Sequence, residues 1–190
     1  MDSEKYLVFT EETNAVDYLV KGVGFIKTAE QSPSDWKWVI IAIHAALYSF
    51  MICALKGTAG SDNVSRQTKR GNFLIDFSDA LKRCQDPSQQ NISGFTEVLQ
   101  LSPNQSKAIE ILHEQFRNPF THYQPALWAI QLDGLPEIVT HVLDVIRFVS
   151  LDMGCYYVHY DEGDAAKIAA LINEAKLVLG RYRTLTGIPS

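Results

Sequence analysis

The sequence predicts an all-α protein, an up-and-down bundle of four to five main helices carrying a helical and loop insertion. Three observations point there. Apolar residues recur at helical spacing over several segments of more than ten residues. Helix-start residues stand just ahead of those segments. No stretch alternates apolar and polar residues as a half-buried strand does.

The first helix is predicted to start near Thr10, with Thr10 as N-cap and Glu11 and Glu12 in the first turn, where the helix dipole favours acids. Val16, Leu19, Val20, Val23 and Ile26 follow at helical spacing, and Gly22 and Gly24 weaken the segment. "QSPSDW" then breaks the chain. Ser34 or Asp35 caps a long second helix, Asp35 to Lys56, which is apolar nearly all round and reads as the central helix of a bundle. Gly57 to Gly71 is polar and bounded by glycine, so it is predicted to be a loop, made locally basic by Arg66, Lys69 and Arg70. Asn72 to Cys84 reads as a short amphipathic helix ending in Lys82 and Arg83. "QDPSQQNISG" reads as another loop, and Phe95 to Leu101 as a helical turn. The 57–101 region is therefore an elaborated connection within a single domain spanning 1–190.

Ser102 followed by Pro103 marks the start of a third core helix, with Ile109, Leu112, His113 and Phe116 along one face. Asn118-Pro119 is predicted to end it, because the residue before proline is pushed out of the α region. Gly134 and Pro136 open a fourth core helix over about Leu135 to Met153, and Asp164 caps a last one to about Thr184.

The totals restrict function. Hydrophobic residues make up 46% of the 190 and charged residues 21%, an ordinary globular balance. The net charge of −5 excludes a polycation, so any nucleic-acid contact needs a local basic site. Three cysteines at long spacing (Cys53, Cys84 and Cys155) fit neither a disulfide framework nor a zinc site, and point to reduced thiols in a cytoplasmic protein. "MDSEKYLVF" lacks the form of a secretory signal. Trp38 to Leu55 is near the lower limit of a membrane span, but His44, Tyr48 and Ser49 mark it as a buried helix, and no membrane role is expected. No glycine-rich phosphate loop, HExxH or GxSxG occurs, and the five histidines lack metal-ligand spacing, so no cofactor or metal is expected.

What remains is "EQFRNPFTHYQPALW", Glu114 to Trp128. On one unbroken helix Arg117 and His122 would diverge by about 140°. A chain that stops at Pro119 and turns brings them together. A guanidinium forks onto phosphate oxygens, and an imidazole moves protons near neutral pH. Together they suit a phosphodiester whose transition state gathers negative charge. The structural reading of the same residues is plain: an arginine favoured by the helix C-terminus, an ion pair with Glu114 one turn earlier, and a loop histidine. His44 reads as a satisfied core histidine, His159 as surface structure, and Trp36 and Trp38 as packing rather than base-stacking groups.

The run "LHEQFRNPFTHYQP" resembles the signature of the HEPN superfamily, an arginine followed four to six residues later by histidine, with a polar residue (here Asn118) after the arginine. "WKWVIIAIHAALYSFMICALKG" is similar to the long early core helix of such proteins, and "LPEIVTHVLDVIRFV" to the helix after the motif. The resemblance covers about Asp35 to Val149 without 57–101. It implies a metal-independent RNA endonuclease, in some members a toxin or defence component with a cognate antitoxin or nucleotidyltransferase partner, working as a homodimer whose two motifs meet in a cleft. His122 would be acid or base at the ribose 2′-hydroxyl, Arg117 would hold the scissile phosphate, and Asn118 would orient the pair or bind RNA. The alternative it leaves open is a non-catalytic module that binds nucleotide or protein.

Overall fold

The computed structural model describes residues 6–57, 60–121, 129–154, 160 and 163–185. The chain is mostly helical. Helix α1, Glu11–Thr28, begins as expected: the Thr10 hydroxyl accepts from the Thr13 N–H, and the Thr13 hydroxyl accepts from the Thr10 N–H at 2.8 Å. It runs through Gly22 and Gly24 without a break. Gly22 lies against α2 so closely that a Cβ there would sit 2.7 Å from Ile43 Cδ1. The residue that weakens the helix in isolation is the one that lets it dock.

Helix α2, Asp35–Lys56, has the predicted span. Ser34 makes no side-chain cap, and its hydroxyl pairs with that of Ser32 instead. Lys56 Nζ meets Glu11 Oε1 at 2.9 Å, which sets the end of α2 beside the start of α1, antiparallel. By length and composition α2 would cross a membrane, yet 72% of its most apolar window is buried inside the protein. Trp36 packs edge-on against Tyr182, and the more exposed Trp38 stacks on Phe25, so both tryptophans pack against aromatic neighbours.

The 57–101 region departs most from expectation. A 3-10 turn, Gly60–Val64, leads into a β-hairpin of β1, Ser65–Thr68, and β2, Gly71–Leu74, antiparallel with Ser65 opposite Leu74 and Thr68 opposite Gly71. Both strands lie largely on the surface, so neither carries the alternation that burial imposes. The hairpin is set by its ends. Gly71 has φ 118, the Thr68 hydroxyl donates to the Gly71 carbonyl, and buried Ile75 donates its N–H to the carbonyl of buried Val64. The helix predicted from Asn72 accordingly starts later: α3 is Phe77–Cys84, capped by the Asp76 carboxylate on the Asp79 N–H. A short 3-10 turn, Pro87–Gln89, and the single turn α4, Gln90–Ser93, interrupt the second predicted loop. The helical turn predicted over 95–101 is absent. The Thr96 and Leu99 N–H groups donate to the distant Met153 and Cys84 carbonyls while Phe95 and Leu99 plug the core.

Helix α5, Pro103–Glu110, opens at the predicted Ser102–Pro103 start, where Ser102 also forms a capping box with Gln105. It does not stop at Asn118-Pro119. It widens into a π-helical stretch, Ile111–Arg117, and continues as α6, Asn118–Thr121. Proline has no N–H to give and crowds the carbonyl four residues back, and the wider turn absorbs both defects. Helix α7, Leu135–Arg147, follows Gly134 at φ 88 and extends through a second π-helical stretch, Phe148–Asp152; α8 is Asp164–Leu185.

Buried side chains from α1, α2, α3, α5, α7 and α8 join one core cluster. Helix α2 packs on α1, α3, α7 and the π stretch before α6, while α8 lies against α1 and α7.

Candidate functional site

The buried helix α2 and the partly buried π stretch bring a pair of histidines together. His44, mid-way along α2, is 3% exposed, and its Nε2 lies 2.8 Å from His113 Nδ1 on the π stretch. Phe77 of α3 stacks on both rings, at 4.3 Å from His44 and 4.5 Å from His113. Removal from water lowers the His44 pKa to about 3, helped by the nearby His113 and Arg117. Burial, with Arg117 adding to it, also lowers His113, while Glu114 and Asp76 pull the other way. Both rings are therefore neutral at pH 7. His44 is the satisfied core histidine the sequence suggested, and it also forms part of a cleft wall.

From His113 a polar chain runs outward. Its Nε2 faces Glu114 Oε1 at 3.4 Å, which favours the ring proton there and leaves Nδ1 to accept from His44. Glu114 Oε2 accepts from the Asn118 amide at 3.2 Å, and Asn118 Oδ1 accepts from Arg117 Nη1 at 3.0 Å. The predicted Glu114–Arg117 ion pair is not formed. The carboxylate is spent on His113 and Asn118, and Asn118 stands between it and the guanidinium. Among the described residues Arg117 makes no ion pair with any acid. The Thr121 hydroxyl donates to the Arg117 carbonyl at 3.0 Å, securing the turn beyond Pro119.

Arg117 and Thr121 line a cleft of about 410 Å³ between α1, α2 and β2, with His44 and Tyr48 in its wall. Tyr48 donates to the Ile75 carbonyl; burial raises its pKa, with Asp76 adding to the rise and Arg117 opposing it. A second cleft, about 700 Å³, is lined by Phe77, His113 and Glu114. Each cleft is thus lined by one member of the histidine pair. His122, together with Tyr123, Trp128, Cys155 and His159, lies outside the described residues. Among the described residues no group of three or more His, Cys, Asp and Glu side chains is placed to hold a metal. Arg66, Lys69 and Arg70 are exposed, with Arg66 3.7 Å from Asp79.

The chain matches no protein-family model, no curated protein and no solved structure.

The sequence singled out Arg117 and Asn118 as candidates, and the structure places Arg117 in the wall of a cleft with Asn118 bonded to it; the His44–His113 pair, whose members are 69 residues apart, was missed. The only trace was two histidines on otherwise apolar helix faces. The cleft residues Asn14 and Tyr18 carried no local signal, and Ser49 stood out only as a polar residue in the apolar run of α2.

Proposed function

We propose that the protein is a HEPN-type RNA endonuclease acting through Arg117, Asn118 and His122. One observation carries the reading: a guanidinium with no acidic partner among the described residues lines a cleft, held in place by Asn118. A structural arginine normally finds a carboxylate; one left without is available to a ligand's phosphate. Asn118 is the polar residue that follows the arginine in the motif, and its bond to Glu114 fixes which way its carbonyl faces. The π stretch supports the reading too, since such distortions gather at functional sites.

In this reading His122 takes the proton from the ribose 2′-hydroxyl as it attacks the adjacent phosphorus. Arg117 holds the non-bridging oxygens as they gain charge, the bond from phosphorus to the 5′-oxygen breaks, and that oxygen takes a proton from water as it leaves. The products are a 2′,3′-cyclic phosphate and a 5′-hydroxyl end. The helices pack as an up-and-down bundle with 57–101 as its insertion, and two copies pair so that their motifs share one groove.

Incubation with mixed RNA in EDTA tests it. The wild type is expected to leave cyclic-phosphate ends and His122→Ala none. Equal cleavage by both removes His122 from the mechanism. Nucleotide binding without cleavage favours the non-catalytic module.

A further inference from the structure

Three features of the cleft beside Arg117 have no part in phosphate chemistry. First, about 410 Å³ is in the range of small-molecule sites and far exceeds what one phosphate fills. Second, Ile41, Ala45 and Ile52 of α2 face it from one side and Leu74 of β2 from another, giving apolar walls. Third, Asn14 and Tyr18 of α1 and Ser49 of α2 line it, and among the described residues their side chains make no hydrogen bond. The hydroxyl of a mid-helix serine commonly bonds back to a carbonyl one turn earlier. Ser49 does not.

An apolar slot with unspent donors and acceptors, beside a fixed guanidinium, matches one ligand chemistry. The apolar walls suit the two faces of a flat ring. The Asn14 amide offers both a donor and an acceptor, and the Ser49 hydroxyl offers either, as a base edge requires. The Tyr18 ring, 36% exposed, stands free to stack. An acyl chain would fill the same volume but leave Asn14 and Ser49 unsatisfied. Glu11 is the one acid in the cleft, and its carboxylate is engaged by Lys56.

We propose that this cleft is a nucleobase subsite: it seats the base next to the phosphate held by Arg117, and Asn14 and Ser49 select among bases. This rests on the assignment of Arg117 to a phosphate, and it adds that cleavage is base-selective. The test is titration of the full-length protein with adenosine, guanosine, cytidine and uridine 3′-monophosphates, ribose 5-phosphate and inorganic phosphate. At least one nucleotide is expected to bind tenfold or more tightly than ribose 5-phosphate. Asn14→Ala with Ser49→Ala should bring that nucleotide to within threefold of ribose 5-phosphate and leave ribose 5-phosphate unchanged. Thermal unfolding of the variant at the wild-type temperature shows that its fold is kept, and Tyr18→Ala provides a second arm that should weaken every nucleotide alike. Equal binding of nucleotides and ribose 5-phosphate by the wild type overturns the subsite, as does a double variant with undiminished preference. A base preference in a protein that cuts no RNA keeps the subsite and removes the nuclease. RNA cleavage without any base preference does the reverse.

Discussion

His44 sits with its ring in the core and its proton affinity suppressed to a pKa of about 3. The unfolded chain holds that ring near 6.5, so as the pH falls the unfolded state takes up the proton first. Above about pH 6.5 the ring is neutral in both states and contributes no pH dependence. Between about 6.5 and 3, stability is lost with falling pH, at up to about 1.4 kcal/mol per unit, or about 2 kcal/mol by pH 5. His113 acts in the same direction, since its pKa is lowered too. Urea unfolding at pH 7 and pH 5 should show this loss, and His44→Gln should flatten it. A wild-type stability that is level across that interval contradicts a buried, neutral His44 bonded to His113. At the same scale, Arg117 and Asn118 could be named as candidates because the Arg-x4-His motif is local, six residues from end to end. The histidine pair was not, because a bond across 69 residues exists only once α2 and the π stretch have packed.

At the scale of elements, the caps at Thr10 and Ser102 and the span of α2 follow from neighbours within a few residues, and the sequence displays them. The hairpin and the run of helix through Pro119 were hidden for separate reasons. Surface strands leave no burial pattern, and a proline reads as a stop unless the helix can widen around it. The end of α2 depends on Gly57, which has φ 48 and lies so near α4 that a Cβ would meet the Ser93 carbonyl oxygen at 2.4 Å. Backbone cannot yield as a side-chain tip can. Gly57→Ala should therefore destabilise the fold by about 3 kcal/mol or more, combining an unfavourable φ with a backbone clash. Gly22→Ala should cost less, because its neighbour is the mobile end of Ile43. Denaturant midpoints of the two variants give the order, and the reverse order contradicts the packing described.

Over the whole molecule, a net charge of −5 is compatible with RNA binding only if cation and cleft coincide. They coincide at Arg117, whose surroundings contain two engaged acids (Glu11 with Lys56, Glu114 with His113 and Asn118), two neutral histidines and an orienting amide. The all-α class was legible from helical periodicity alone. The cleft was not, because its walls come from α1, α2, β2 and α6, brought together only by the complete fold. The most direct test of the account is single-turnover cleavage of RNA in EDTA by the wild type and by Arg117→Ala, with thermal unfolding as a control for the fold. The wild type is expected to cleave and the variant to lose about a hundredfold or more in rate, the scale on which one transition-state charge contact acts. A folded Arg117→Ala protein that cuts RNA at the wild-type rate would contradict the account.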